Sequence, residues 1–126
     1  MALLLCALPP PAAGQPDVEQ LRIIAPAAPG GGWDQTARVM QRVLHSARIV
    51  DTVSVENIPG AAGTIGLARF ISAERGNGNA LMASGLIMLG AIVTHQSPVT
   101  LREVTPIARL TGEYGAILVP DSSPFR

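Results

Sequence analysis

The chain has 126 residues, enough for one ordinary domain, and 48% of them are hydrophobic, so a packed core is expected rather than disorder. Nine basic side chains balance nine acidic ones, and this neutrality argues against a nucleic-acid partner, because phosphate backbones are bound by basic surfaces. Only 3% of the residues are aromatic, so aliphatic side chains must fill the core.

Cysteine and histidine are too sparse to build a disulfide framework or a metal cluster. The one cysteine, Cys6, lies in an apolar leader, and His45 and His95 lack the spacing of a metal-binding pair. The sequence therefore predicts no metal site, and nothing in it indicates a cofactor.

The leader resembles the later part of a secretory signal peptide. Residues 1–8 are apolar, and prolines and small residues follow them, although no basic residue occurs before Arg22. Two leucines precede Cys6 where a lipid-modified cysteine would have small residues, which argues against a lipoprotein. No later apolar run approaches the roughly 20 residues of a membrane helix. We expect an exported, soluble protein whose signal peptide, or its remnant, covers residues 1–16.

The body of the chain alternates short apolar runs with helical periods. Residues 21–26 predict a buried strand that ends at proline, and the glycine-rich residues 27–32 predict a loop. From Trp33 onwards, apolar residues recur every three to four positions, which predicts an amphipathic helix. Residues 52–57 are rich in β-branched side chains and predict a second strand, and residues 58–63 predict a second glycine loop.

The same alternation continues through the second half. The sequence predicts a helix over residues 64–74, a strand over residues 80–83 and a buried helix over residues 86–93. The capping-box sequence TLRE predicts a helical turn at residues 100–103. Two further strands are predicted over residues 104–110 and 116–119. Strands and helices that alternate through short loops predict an α/β fold, with a parallel sheet flanked by helices.

Three strand ends share one pattern, in which a strand runs into a small-residue loop and then a helix. The carboxyl ends of parallel strands open at one edge, where open α/β sheets bind ligands. The first N–H groups of a helix lack internal partners and carry partial positive charge, and glycine lets an anion approach them closely. A small anion is therefore expected at this edge.

The first loop carries the sharpest signal. The glycines at 30–32 precede an amphipathic helix and provide several free N–H donors, with Asp34 in the first helical turn. Asp34 either accepts hydrogen bonds that fix the shape of the loop or is an ordinary helix-start residue beside a flexible connector. Trp33, the only tryptophan, either lines the pocket or anchors the helix in the core.

The other two loops offer fewer donors. In the second loop, Gly63 N–H, Thr64 N–H and the Thr64 hydroxyl are candidate donors, although Thr64 also suits a plain helix cap. In the third loop, Ser84 either bonds a ligand carboxylate or caps the helix that follows.

Three other activities fit poorly. A nucleotide P-loop needs a lysine after its glycines, and here they run into Trp33. A dinucleotide fingerprint needs a third glycine at the position that Gln35 occupies, although Glu56 at the end of the second predicted strand suits its acidic residue. A hydrolase would need a nucleophile elbow around Ser84 and a histidine to activate it, and neither is apparent.

The loop sequences resemble one family of binding proteins. Residues 26–34 (PAAPGGGWD), 55–63 (VENIPGAAG) and 105–110 (TPIARL) are similar to the periplasmic substrate-binding proteins of the tripartite tricarboxylate transporters, the TctC-like or Bug family. The resemblance covers nearly all of residues 21–126, and the first motif is specific as a combination.

This resemblance implies a two-lobed clamshell of the type II periplasmic kind, with residues 17–119 forming the first lobe and residues 120–126 entering the second. It also implies a monomer that captures a di- or tricarboxylate, or a related small acid, and delivers it to membrane permease subunits without catalysis. The ligand contacts that it carries over by motif are Ala27, Pro29, Gly30, Gly31, Gly32, Trp33, Asp34, Gly63, Thr64 and Ser84.

Length separates this chain from the family, whose members are substantially longer. A fragment that lacks most of the second lobe is expected to hold half a site and to bind at millimolar concentrations or not at all. Two other functions stay open: an exported α/β enzyme of unknown reaction, and a sensor that presents its ligand to a receptor.

Overall fold

The computed structural model describes residues 18–112 and 115–125, so the predicted signal peptide and Cys6 lie outside the described residues. A parallel sheet contains β1 (Val18–Ala25), β2 (Val50–Asn57) and β3 (Ala80–Met82) in the order β2-β1-β3. The α-helices of the described part are α1 (Gly32–Ser46), α2 (Thr64–Ala73) and α3 (Leu86–Thr94), and short 3-10 turns lie at Ala61–Gly63 and Leu101–Glu103. The predicted α/β class is confirmed.

The central position of β1 explains why its last three residues, Ile23 to Ala25, are all apolar. Neighbours pair with both of its edges, and helices pack against it, so its last three residues are all fully or almost fully buried. Alternate residues of a strand point to the same face. Leu21, Ile23 and Ala25 therefore meet one set of partners, which includes Ala37 of α1 and Val53 of β2.

A second apolar cluster joins α2 and α3. Leu67 and Met88 are completely buried in it, and Ile92 is nearly so. Trp33, at the start of α1, packs against this cluster rather than the first one. The indole thus connects the helix that follows β1 to the two helices that follow β2 and β3.

The predicted helical turn at residues 100–103 is also confirmed. The Thr100 hydroxyl accepts a hydrogen bond from the Arg102 N–H at 3.3 Å, and the Glu103 carboxylate accepts one from the Thr100 N–H at 3.0 Å. These reciprocal bonds form a capping box.

The two further predicted strands are wrong. The described residues of 104–110 and 116–119 form neither helix nor strand. An apolar run becomes a strand only when its N–H and C=O groups pair with a neighbour, and these segments pair with none in the described structure. Apart from Val104, which packs against the second cluster, their side chains are exposed, with 76% of Ile107 and 96% of Ile117 open to solvent.

None of the helices formed by residues 18–112 and 115–125 combines the length and the apolar character needed to cross a bilayer.

Candidate functional site

The carboxyl ends of the three strands meet at one edge of the sheet. Ala25, the last residue of β1, stands opposite Asn57, the last residue of β2, and Ile24 stands opposite Met82, the last residue of β3. The Ala25 carbonyl accepts the Ile58 N–H at 2.9 Å, which continues the pairing into the second loop. The loops that follow the three strands therefore open side by side, as the sequence predicts.

Asp34 fixes the shape of the first loop. Its side chain is almost completely buried, and one carboxylate oxygen accepts hydrogen bonds from the Gly30 N–H at 2.7 Å and the Arg38 Nε–H at 2.9 Å. The other oxygen accepts the Asn57 amide at 2.8 Å. Of the two roles open to Asp34, the loop-fixing one is observed.

These three donors also set the protonation of Asp34. The Arg38 hydrogen bond, then the Gly30 N–H and the Asn57 amide, lower the pKa of Asp34 from 3.8 to about 2, against the opposing effect of burial. The carboxylate is therefore ionised, and its charge faces the Arg38 guanidinium across 2.9 Å. Asp34 therefore uses its carboxylate within the loop and does not offer it to a ligand.

The N-terminus of α1 has three N–H groups without a protein acceptor. Gly31 is the N-cap and has no side chain to cap the helix, and no acceptor for the N–H groups of Gly32, Trp33 and Asp34 occurs among the described residues. Such groups must be met by water or by a ligand. Gly32 is exposed, and a methyl group added to it would contact nothing within 4 Å, so this end of the helix is accessible.

The rest of the first loop turns back on itself. The Gly31 N–H bonds the Ala28 carbonyl at 3.0 Å, and the Ala27 carbonyl accepts the Asn57 amide at 3.0 Å. Pro29 is exposed at the tip, and Gly30 has a positive φ of 84°, which glycine adopts without strain. Of the three glycine N–H groups of the motif, only that of Gly32 is left for a ligand.

Trp33 lies where all three loops meet. A Cβ atom at Gly63, in the second loop, would come within 2.7 Å of the Trp33 ring, and a Cβ atom at Gly85, in the third, within 3.1 Å of its Nε1. The side chain is partly buried, and its N–H has no acceptor in the described part of the chain. Trp33 thus anchors its helix in the second cluster, as one predicted alternative required, and also presents a polar edge between the first and third loops.

The second loop uses its donors internally. Gly63 N–H bonds the Gly60 carbonyl at 2.9 Å, and both the N–H and the hydroxyl of Thr64 bond the Ala61 carbonyl. Gly63, not Thr64, is the N-cap of α2, so the predicted capping role of Thr64 is wrong. Four consecutive residues, Gly60 to Gly63, have positive φ, and in Ala61 and Ala62 this conformation strains the backbone.

Ser84 offers its hydroxyl to a ligand more freely than Thr64 does. The N-cap of α3 is Gly85, which has no side-chain cap, so the alternative in which Ser84 caps the helix is wrong. Its hydroxyl meets only the Met88 thioether sulfur, a weak acceptor, at 3.5 Å, and the residue is exposed.

Two residues of the site were not singled out from the sequence. Asn57 contacts both ends of the first loop, and Arg38 balances the Asp34 charge. The spacing of Arg38 four residues after Asp34 is a signal that sequence inspection can use. Asn57 is signalled only by its position, as a polar residue at the carboxyl end of a predicted strand.

Other kinds of site receive little support from the described residues. No group of three or more histidine, cysteine, aspartate or glutamate side chains in that part could hold a metal ion. A cavity of about 310 Å³ in the C-terminal segment is lined by Val119, Pro120, Asp121, Ser123 and Phe125, and none of these residues belongs to the three loops.

Comparison with known proteins identifies no protein that is similar to this chain. No protein-family model matches the chain, and neither a curated protein nor a solved structure is significantly similar to it.

Proposed function

We propose that the chain binds a small carboxylate at the carboxyl edge of its parallel sheet. The observation that carries this proposal is the group of three N–H donors at Gly32, Trp33 and Asp34 that find no acceptor among the described residues, at a helix N-terminus whose first residue, Gly32, is exposed. A carboxylate has two oxygens that accept several hydrogen bonds each, and it is favoured by the positive end of the helix dipole.

The charge balance of the loop supports an anionic ligand. The only acidic side chain in the first turn of α1 is Asp34, and its charge is already balanced by Arg38 and by two further hydrogen bonds, from Gly30 and Asn57. The loop therefore keeps its shape without using the three free N–H groups. A carboxylate can approach them without meeting an uncompensated negative charge.

Two further donors stand on the neighbouring side of the site. The Ser84 hydroxyl has only a weak partner, and the Trp33 indole N–H, next to Gly85, has none in the described part of the chain. A ligand that bridges α1 and the third loop would have oxygens in more than one direction. Di- and tricarboxylates have this character, which agrees with the ligand class that the resemblance implies.

The wider role follows from the same resemblance. We place the chain in the periplasm, as the first lobe of a monomeric solute-binding protein that passes its ligand to the permease of a tripartite tricarboxylate-type transporter. Binding is favoured over catalysis because His45 lies in the last turn of α1, opposite the loops, where its ring bonds the Asp51 carbonyl at 2.9 Å. No histidine forms a hydrogen bond with Ser84 in the described residues.

Substitution of Gly32 tests the proposal directly. Proline is tolerated at the first position of a helix, and Gly31 before it already has φ −69° and ψ 164°, which suit a residue that precedes proline. Gly32→Pro therefore removes one donor and leaves the fold intact. Gly32→Ala is the matched control, because it keeps the N–H and its methyl group would meet nothing within 4 Å.

Citrate and succinate are the probes, titrated at constant ionic strength and followed by the fluorescence of the only tryptophan and by amide chemical shifts. Because all of these donors come from a single lobe, we expect a Kd on the order of 1 mM in the original protein and in Gly32→Ala, and a several-fold weaker one in Gly32→Pro. Absence of shifts at Trp33 and Asp34 in the original protein would refute the proposed function. Equal affinity in all three proteins would exclude the helix N-terminus as the binding group.

A further inference from the structure

The Asn57 side chain makes all of its hydrogen bonds to the first loop and the helix behind it. Its Nδ2 group donates to the Ala27 carbonyl at 3.0 Å and to the Asp34 carboxylate at 2.8 Å, and its Oδ1 accepts from Arg38 at 3.4 Å. A primary amide has two hydrogens to donate, so both of its acceptors are satisfied at once. Asn57 belongs to the motif at residues 55–63, but the motif alone does not predict these contacts.

The two acceptors lie at opposite ends of one loop. Ala27 begins the turn that follows β1, and Asp34 lies in the first turn of α1. Asn57 itself ends the neighbouring strand and stands opposite Ala25 in the sheet. One side chain on a rigid strand therefore fastens both ends of the loop to the edge of the sheet.

We infer that Asn57 is a positioning residue, which orients the free N–H groups at the start of α1 toward a bound carboxylate; this inference rests on the proposed function. Asn57 does not meet the ligand itself in this arrangement. It acts through Asp34, whose carboxylate bonds the Gly30 N–H at 2.7 Å and so determines how the loop enters the helix.

The chemistry of the contacts requires an amide at this position. An aspartate would direct acceptor oxygens at a carbonyl and a carboxylate, and the pair of carboxylates would repel each other. An alanine would leave the Asp34 oxygen without the donor that it has now. The amide orientation is fixed by the same argument, because a rotated amide would direct its oxygen at two acceptors.

Asn57→Asp and Asn57→Ala test the inference, with Asn79→Asp as the matched control. Asn79 is exposed, and its side chain bonds no other described residue, so this variant makes the same change of charge away from the loop. Two quantities are measured on the full chain: the exchange rate of the Gly30 amide without ligand, and the affinity for citrate from chemical shifts at Gly32 and Trp33. Circular dichroism and urea unfolding record the stability of each variant.

In both Asn57 variants, the Gly30 amide hydrogen is expected to exchange faster than the loss of global stability alone explains. Both variants are also expected to weaken citrate binding at least about fivefold. Asn79→Asp should match the original protein in both measurements. Citrate binding by the original protein together with unchanged affinity in a folded Asn57→Ala would overturn the inference. If the original protein does not respond to citrate, the proposed function fails instead, and accelerated Gly30 exchange would then assign Asn57 to loop structure alone.

Discussion

The Trp33 ring packs against Gly63 and occupies the space that a side chain at position 63 would need. A Cβ atom at Gly63 would lie 2.7 Å from Trp33 Cζ3 and 2.8 Å from Met88 Cε, closer than side chains can approach. Gly63 also has a φ of 93°, which an L-residue with a side chain rarely adopts. The glycine is therefore required both by its backbone conformation and by the contact between the second loop and the first helix.

Gly63→Ala is expected to destabilise the protein by about 3 kcal/mol, because overpacking and a left-handed alanine act together. Urea unfolding measures the loss, and the emission of Trp33 should shift as the ring is displaced. Gly78→Ala is the control, since a methyl group there would contact nothing within 4 Å. Similar stabilities for the two variants would contradict the packing described for Trp33.

The helical glycines Gly66 and Gly90 should respond to alanine in opposite directions. A Cβ atom at Gly66 in α2 would lie 2.7 Å from Pro26 Cβ and 3.2 Å from the Ile58 carbonyl oxygen, so Gly66→Ala should cost about 1–3 kcal/mol. At Gly90 in α3 a methyl group would meet nothing within 4 Å, and Gly90→Ala should stabilise by up to about 1 kcal/mol. Thermal unfolding of the two variants compares them, and shifts of the same sign would refute the assigned helix faces.

Local sequence patterns predict the first half of the fold well. The run of β1 and the period of α1 each depend on neighbouring residues, so both elements are predicted within a few positions. The segments at 104–110 and 116–119 have equally strong apolar character and form no strand in the described structure. The difference lies in pairing, because a strand needs a partner that its own sequence does not specify.

The candidate site, like the fold, can be predicted from the sequence only where its residues are neighbours in the chain. The glycines and Asp34 are visible in the sequence because they lie next to one another before a helix. Asn57 is 23 residues from Asp34, and their contact exists only because β1 and β2 pair in register. Likewise, the Thr64 hydroxyl bonds the Ala61 carbonyl because the backbone at Ala61 and Ala62 is left-handed, and no local propensity predicts that conformation.

Arg22 should matter more for stability than Arg69, although both contact acidic side chains at the sheet. Arg22 meets the buried Glu74 as well as Glu56 at 3.5 Å, whereas Arg69 pairs, among the described residues, only with the partly exposed Glu56, at 3.0 Å. Arg22→Met leaves a buried carboxylate without its cation, and breaking such a pair is costly. Arg69→Met should change the free energy of unfolding by no more than about 1 kcal/mol. Urea unfolding should rank Arg22→Met as clearly less stable, and equal losses would exclude this role for Glu74.

The stability of the first loop should depend on pH through Asp34. Its pKa is about 2 in the folded chain and 3.8 ordinarily, so its ionised form stabilises the fold above that ordinary value. This contribution is lost as the pH falls through the folded pKa. Asp34→Asn removes the titration, so its deficit in unfolding free energy should be largest near neutral pH and shrink between about pH 4 and about pH 2.

Glu74, whose pKa is lowered chiefly by the Asn77 amide and also by Arg22, titrates in the same direction. It is present in both proteins of this comparison, so its contribution cancels in their difference. Urea unfolding of the original protein and of Asp34→Asn at several pH values measures that difference. If the free energies of unfolding of the two proteins differ by the same amount at every acidic pH, the Asp34 carboxylate is not stabilised by Gly30, Arg38 and Asn57. Other contacts would then have to hold the loop in its conformation.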